Sequence, residues 1–261
     1  MIITEKDLDK RQTEDFSQVL KGKRLYHYSN CCTTVDYILM EGTLNFTNPI
    51  KFNDPFDCSE KMLKVIYDDC TLKQTIVNLK FNRKEKRKFD INKLRLQQDA
   101  IMREERDKFK ICCFSEKNDN LLMWSHYADK HSGMCCGFEF PIDNGKFSIQ
   151  PVRYEKEIHE VEGKSESGKI IRHWLTSKSV DWEYEKEFRA ILKSDKTSIF
   201  YESIKYDASF LKEMVFGCNL KTKDINKILS KLRLNKIPFK NIELKRAQLN
   251  PETFNLKIVN F

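Results

Sequence analysis

The chain has no run approaching the ~18 apolar residues that a membrane-spanning helix needs. Its first residues, MIITEKDLDKRQTEDF, are charged and polar where a secretory leader would be apolar. Both absences lead us to expect a cytoplasmic protein with no membrane partner. No CxxC occurs, and no Cys/His run has zinc-finger spacing, although the sequence holds 9 cysteines. Cys31-Cys32, Cys112-Cys113 and Cys135-Cys136 are adjacent pairs, and neighbours on a strand point to opposite faces, so a pair cannot share one ligand direction. The cysteines therefore read as reduced, mostly buried thiols that pack as small hydrophobes in a reducing compartment. There is no Gly-rich phosphate loop, no GxSxG elbow and no HExxH pair. Internal repeats and low-complexity linkers are missing too.

What is present is enough apolar material for a core: 40% hydrophobic and 11% aromatic residues in 261. Global disorder is excluded on that ground. A single domain over 1–261 fits, with 1–22 as a polar lead-in. The only compositional break is 59–108, a highly charged stretch without Gly or Pro, read as a helical insert. The net charge is +8, with clusters at Lys80 to Lys88 (KFNRKEKRK) and Lys221 to Arg233. A basic face attracts nucleic acid or a nucleotide diphosphate; a solvated helix surface is the plainer account of the same residues.

Arg24 to Tyr28 reads as a strand ending at Ser29-Asn30, a helix N-cap. Val35, Ile38 and Leu39 then fall at helical spacing. Thr43 to Thr47 alternates as a strand. Further strands are predicted at Phe109 to Phe114, Met134 to Phe140, Val152 to Tyr154, Phe188 to Leu192, Lys212 to Gly217, Ile242 to Leu244 and Leu256 to Val259. Helices are predicted over Leu121 to Tyr127, Lys169 to Leu175 and Thr222 to Leu232. The class is α+β.

Four segments concentrate residues that cores seldom need. The first is Tyr26-His27-Tyr28-Ser29, at a strand end, where a half-buried aromatic edge is the bland account. The second is Asn53-Asp54-Pro55-Phe56-Asp57. Pro55 fixes a rigid turn, which leaves Asp57 unexplained and able to hold a His or Arg by a charge-assisted bond. The third joins Ser115, Trp124, Ser125, His126, Tyr127 and His131, an amphipathic wall rich in donors. His126 and His131 are off the i, i+4 spacing of a helical metal pair, so no metal is expected. The fourth is WEYEKEFR, where Glu183, Glu185 and Glu187 on a strand would share one face. Three like charges there need solvent or matching cations, and a bland solvated edge accounts for the segment about as well as a site does.

In order and spacing, LYHYS, ILMEGTLNFTNPIKFNDPFD, CCFSEKNDNLLMWSHYADKHSGMCCGFEF, WEYEKEFRA and MVFGC resemble the family catalogued as domain of unknown function 2971, from about residue 24 to 220. More distantly, a strand ending in His, a helix and a Gly-x-Leu turn into a second strand resemble the start of ADP-ribosyltransferase folds. That resemblance implies a mixed, mostly antiparallel sheet core and NAD as co-substrate. His27 matches the His that holds a ribose hydroxyl, and Glu187 or Glu185 the late carboxylate of an E-x-E pattern. Tyr127 or Trp124 would supply the aromatic. Tyr28, Ser29, Asn53, Asp57, Ser115, His126, His131 and Arg189 complete the implied ligand-binding set. The chain departs from the pattern where Tyr28-Ser29 follows His27.

The function so implied is transfer of ADP-ribose to an acceptor, in phage defence or as a toxin. It requires His27 and Glu187 or Glu185 to face one cleft. A non-catalytic nucleotide or nucleic-acid binding module is the competing reading, carried by the basic charge. Weaker ones are a metal nuclease using Asp54, Asp57 and the Glu residues, and a Cys-His hydrolase using Cys113 or Cys58.

Overall fold

A computed structural model describes residues 2–13, 20–59, 62–71, 73, 91–235 and 241–261. The Lys80 to Lys88 run and part of the expected 59–108 insert lie outside them. In chain order the strands are β1 (Ile2–Ile3), β2 (Leu25–Ser29), β3 (Thr43–Thr47), β4 (Lys64–Ile66), β5 (Phe109–Ser115), β6 (Met134–Phe138), β7 (Ser148–Pro151) and β8 (Arg153–Glu155). They continue with β9 (Glu160–Glu162), β10 (Ser177–Ser179), β11 (Glu187–Lys193), β12 (Tyr201–Lys205), β13 (Leu211–Phe216), β14 (Glu243–Leu249) and β15 (Leu256–Asn260). Together with the helices they form an α+β architecture.

Ten strands form one sheet, in the order β12-β3-β5-β2-β6-β13-β14-β15, with β11 on β5 and β7 on β11. Within it β13 and β14 run parallel and the other pairs antiparallel. β11 covers one whole edge of β5, from Glu187 opposite Ser115 to Lys193 opposite Phe109. The other edge of β5 is divided. β3 meets it only at Thr47 opposite Ile111, and β2 only at Tyr26 opposite Ser115. Between those bridges the sheet forks.

Period-2 alternation sets the two faces. Leu44 and Phe46 of β3, Cys112 and Phe114 of β5, Met134, Cys136 and Phe138 of β6, and Met214 and Phe216 of β13 build the larger core. Val35, Ile38 and Leu39 cap it from a helix over Cys31–Thr33 that widens into a π-helix over Thr34–Met40. The side chain of Asn30 accepts from the Thr33 N–H and starts that helix. Ile225, Leu229 and Leu232 of the Thr222–Leu234 helix cover the same core.

The opposite face carries two smaller cores. One gathers Ile111, Ile191 and Met102 with Ile170, Ile171 and Leu175 of the Ser167–Thr176 helix. The other gathers Tyr28, Trp124, Cys135 and Val215 beneath the Leu121–Tyr127 helix.

Two expectations need correction. The 59–108 stretch is not wholly helical: besides the Ile91–Asp107 helix it contains β4, which pairs in parallel with β9. Glu183, Glu185 and Glu187 do not share a strand face. Val180–Glu185 is a 3-10 turn, Lys186 is left-handed at φ 45°, and the strand starts at Glu187. Glu183 is exposed and paired with Lys186, whereas Glu185 and Glu187 are buried. All nine cysteines are free thiols; Cys58, Cys112, Cys135 and Cys136 are buried, and Cys32 and Cys70 are exposed. Among the described residues no helix is long and apolar enough to cross a membrane.

Candidate functional site

A cavity of about 320 Å³ lies at the fork. Tyr26, His27 and Tyr28 of β2, Asn45 and Thr47 of β3, and Ile111 to Phe114 of β5 form its walls. Phe52, Asn53 and Asp57 enter from the Asn-Asp-Pro turn, Tyr127 from the short helix, and Lys178, Glu185 and Glu187 from the chain around β10 and β11.

The split explains how His27 gets there. By alternation His27 falls on the face of Leu25 and the larger core, opposite Tyr26 and Tyr28. In an unbroken sheet it would face away from Glu187. Where β2 and β3 part, the Cys113 carbonyl is free of a strand partner, and His27 Nδ1 takes it at 2.9 Å. A carbonyl only accepts, so Nδ1 carries the proton and Nε2 holds the lone pair. Burial pushes the His27 pKa down, and the bond to Cys113 offsets only part of this. The ring is therefore neutral near pH 7, and it packs against Phe114 at 5.5 Å.

The floor is a buried ionic cluster. Arg189 Nη2 donates to Asp57 at 2.6 Å, Nε donates to Glu187 at 2.8 Å, and Nη1 donates to the Leu175 carbonyl at 2.7 Å. Lys178 Nζ donates to Glu185 at 2.5 Å and to Glu187 at 3.0 Å, and lies 3.7 Å from Asp57. Three carboxylates face two cations, leaving a formal charge of −1.

That surplus is not shared evenly. Burial alone would raise the Glu187 pKa, but Arg189 and Lys178 outweigh it and hold the group down to about 2. Glu185 has Lys178 without Arg189, so burial wins and its pKa is raised. Two carboxylates pushed apart in this way are the usual arrangement for distinct acid–base roles. Glu185 is also the better presented: its second oxygen accepts only from the Tyr127 hydroxyl, at 2.7 Å. Tyr127 and the Asn53 side chain line the cavity together.

Of the residues singled out in sequence, His27, Tyr28, Asn53, Asp57, Tyr127, Glu185 and Glu187 line the cavity. Arg189 lies beneath it, fully buried. Ser115 donates to the Glu185 carbonyl at 2.5 Å, a positioning contact. Trp124 is buried away from the cavity; its Nε1 donates to the Asn118 carbonyl and its ring meets Tyr28 edge-on. Ser29 bonds Thr34, inside the helix start. His126 is exposed, and His131 lies in a left-handed turn, its backbone tied to Trp124 and Asn219. Neither lines the cavity.

Sequence reasoning missed Lys178 and Tyr154, and it marked Cys113 only as a hydrolase nucleophile, not as the residue whose carbonyl holds His27. Tyr154 hydroxyl accepts the Glu187 N–H at 2.7 Å. The expectation of cations matching the Glu residues was the one signal that could have found Lys178. Burial pushes the thiols of Cys58 and Cys113 well up, which leaves a Cys-His hydrolase without a thiolate.

The profile of the family described as "Protein of unknown function (DUF2971)" matches residues 123–190, the stretch that carries Tyr127, Lys178, Glu185, Glu187 and Arg189. No curated protein and no solved structure matches the chain.

Proposed function

We propose that the cavity binds NAD, breaks its nicotinamide–ribose bond and passes ADP-ribose to an acceptor, as the ADP-ribosyltransferases do whose motifs this chain resembles. One observation carries the reading: His27, from one side of the sheet, and Glu185 and Glu187, from the other, line one cavity with Tyr127.

The chemistry suits such a site. When the C–N bond breaks, its electron pair leaves with the ring nitrogen and neutralises the pyridinium. Positive charge then builds on the ribose. The −1 floor stabilises that charge, and it does so in a partly enclosed site where water screens little. Glu185 is the carboxylate closest to acting freely, since Glu187 is consumed by Arg189 and Lys178. His27 Nε2, an acceptor in this tautomer, suits a ribose hydroxyl. Tyr127 supplies an aromatic face beside Glu185. The acceptor's nucleophile attacks the ribose carbon and gives up its proton to Glu185 or water.

The test is incubation of the purified protein with NAD, with and without cell lysate, reading free nicotinamide. Release that disappears in both His27→Ala and Glu185→Gln supports the proposal. Binding of NAD without release moves the protein to the non-catalytic nucleotide-binding reading. Folded protein that neither binds nor cleaves NAD overturns the transferase reading and leaves a binding module for another nucleotide or for nucleic acid.

A further inference from the structure

The cavity is electrically polarised. Its floor holds the −1 cluster, and its mouth holds Lys51. Lys51 and Lys178 are the two cationic side chains among the described lining residues, apart from the neutral His27. Lys178 is spent on Glu185 and Glu187. Lys51 is exposed, and no described carboxylate pairs with it. Its ammonium lies 4.2 Å from the centroid of the Phe200 ring. The 3-10 turn Pro49–Lys51 that presents it is fixed by Asn48, whose side chain accepts from the Ile50 N–H.

Asn45 and Thr47 of β3 line the cavity with Lys51, and among the described residues neither side chain has a hydrogen-bond partner. An exposed cation, an unengaged amide and an unengaged hydroxyl lining one cavity are donors suited to an anion.

We propose that Lys51, with Thr47 and Asn45, anchors a phosphate at the mouth, so that the ligand lies with its cationic or charge-developing end on the floor and its phosphates outward. The proposal rests on the NAD reading and adds a direction and a phosphate requirement to it. The −1 floor repels an anion, so the mouth is the place in this cavity where phosphate is electrostatically favoured. A ligand of one charge sign throughout fits only one of the two ends.

The experiment is calorimetric titration of the whole protein with NAD and with nicotinamide riboside, which keeps the cationic ring and ribose but has no phosphate. Wild type should bind NAD about tenfold more tightly, the scale of one charge-assisted contact. Lys51→Ala should bring NAD to within about twofold of the riboside, leave riboside affinity unchanged, and be rescued by Lys51→Arg. Lys51 is exposed, so loss of fold does not confuse the result. Equal binding of both ligands by wild type, or equal weakening of both by Lys51→Ala, overturns the phosphate anchor and leaves the NAD reading standing. Failure of wild type to bind either ligand overturns both.

Discussion

His27 and Glu187 meet on one residue: the imidazole donates to the carbonyl of Cys113 at 2.9 Å, and the Glu187 carboxylate lies beside that residue's thiol. β5 thus carries the link between a side chain from each sheet face. The contact ties the His27 tautomer and the Glu187 position to the same short piece of backbone.

Arg189→Met should destabilise the fold by about 3–5 kcal/mol, because it leaves Asp57 and Glu187 as buried charges with only Lys178 between them. Urea unfolding with an unchanged slope and a lowered midpoint is the expected result. A loss below about 1 kcal/mol would mean that water already reaches the cluster.

Tyr127→Phe should move the acid limb of nicotinamide release to higher pH. The Tyr127 hydroxyl holds Glu185 toward its charged form against burial, so removing it raises an already raised pKa. Below that pKa the carboxylate is protonated and the floor loses its surplus charge. An acid limb that stays in place in Tyr127→Phe assigns it to another group.

Stability should depend on pH in opposite senses through the two carboxylates. The folded Glu187 pKa, about 2, lies below the ordinary value of 4.5, so its contribution is complete above 4.5 and is lost as pH falls toward 2. The folded Glu185 pKa is raised, so its charge opposes folding at neutral pH and protonation relieves this as pH falls through the raised value. Wild type minus Glu185→Gln should therefore show a gain in stability on approaching pH 4.5 from above. Parallel curves for the two proteins would show that Glu185 titrates normally.

Much of the sheet was legible because its strands are long and apolar enough to declare themselves. FKICCFS and MCCGF are nearly continuous buried runs, and TLNFT alternates. The missed strands are those whose reason lies elsewhere in the chain. Tyr201–Lys205 alternates exposed and half-buried residues on β3, and Ser177–Ser179 is three residues held by β8. The same division holds at the cavity. His27 was marked by its strand end and the E-x-E pair by its crowded charge. Lys178 sits in Ser-Lys-Ser, where nothing local separates a buried ammonium from a surface one; only the convergence of Asp57, Glu185 and Glu187 gives it a role.

Gly217→Ala tests a tight packing point behind the sheet. A Cβ there would stand 2.1 Å from the His131 carbonyl oxygen, backbone that cannot rotate aside. We expect a loss of about 1–3 kcal/mol in thermal or urea unfolding, with no change in NAD affinity. Wild-type stability in this variant would show that the 131–133 turn moves freely.

The fork in the sheet bears on how such a protein diversifies. Its position is set by backbone, by two single bridges on β5, at Ile111 and Ser115. Exchange of Asn45, Thr47, Lys51 or Asn53 therefore rewrites what lines the opening while its position persists. The lining can drift on such a frame without the fold having to be reinvented.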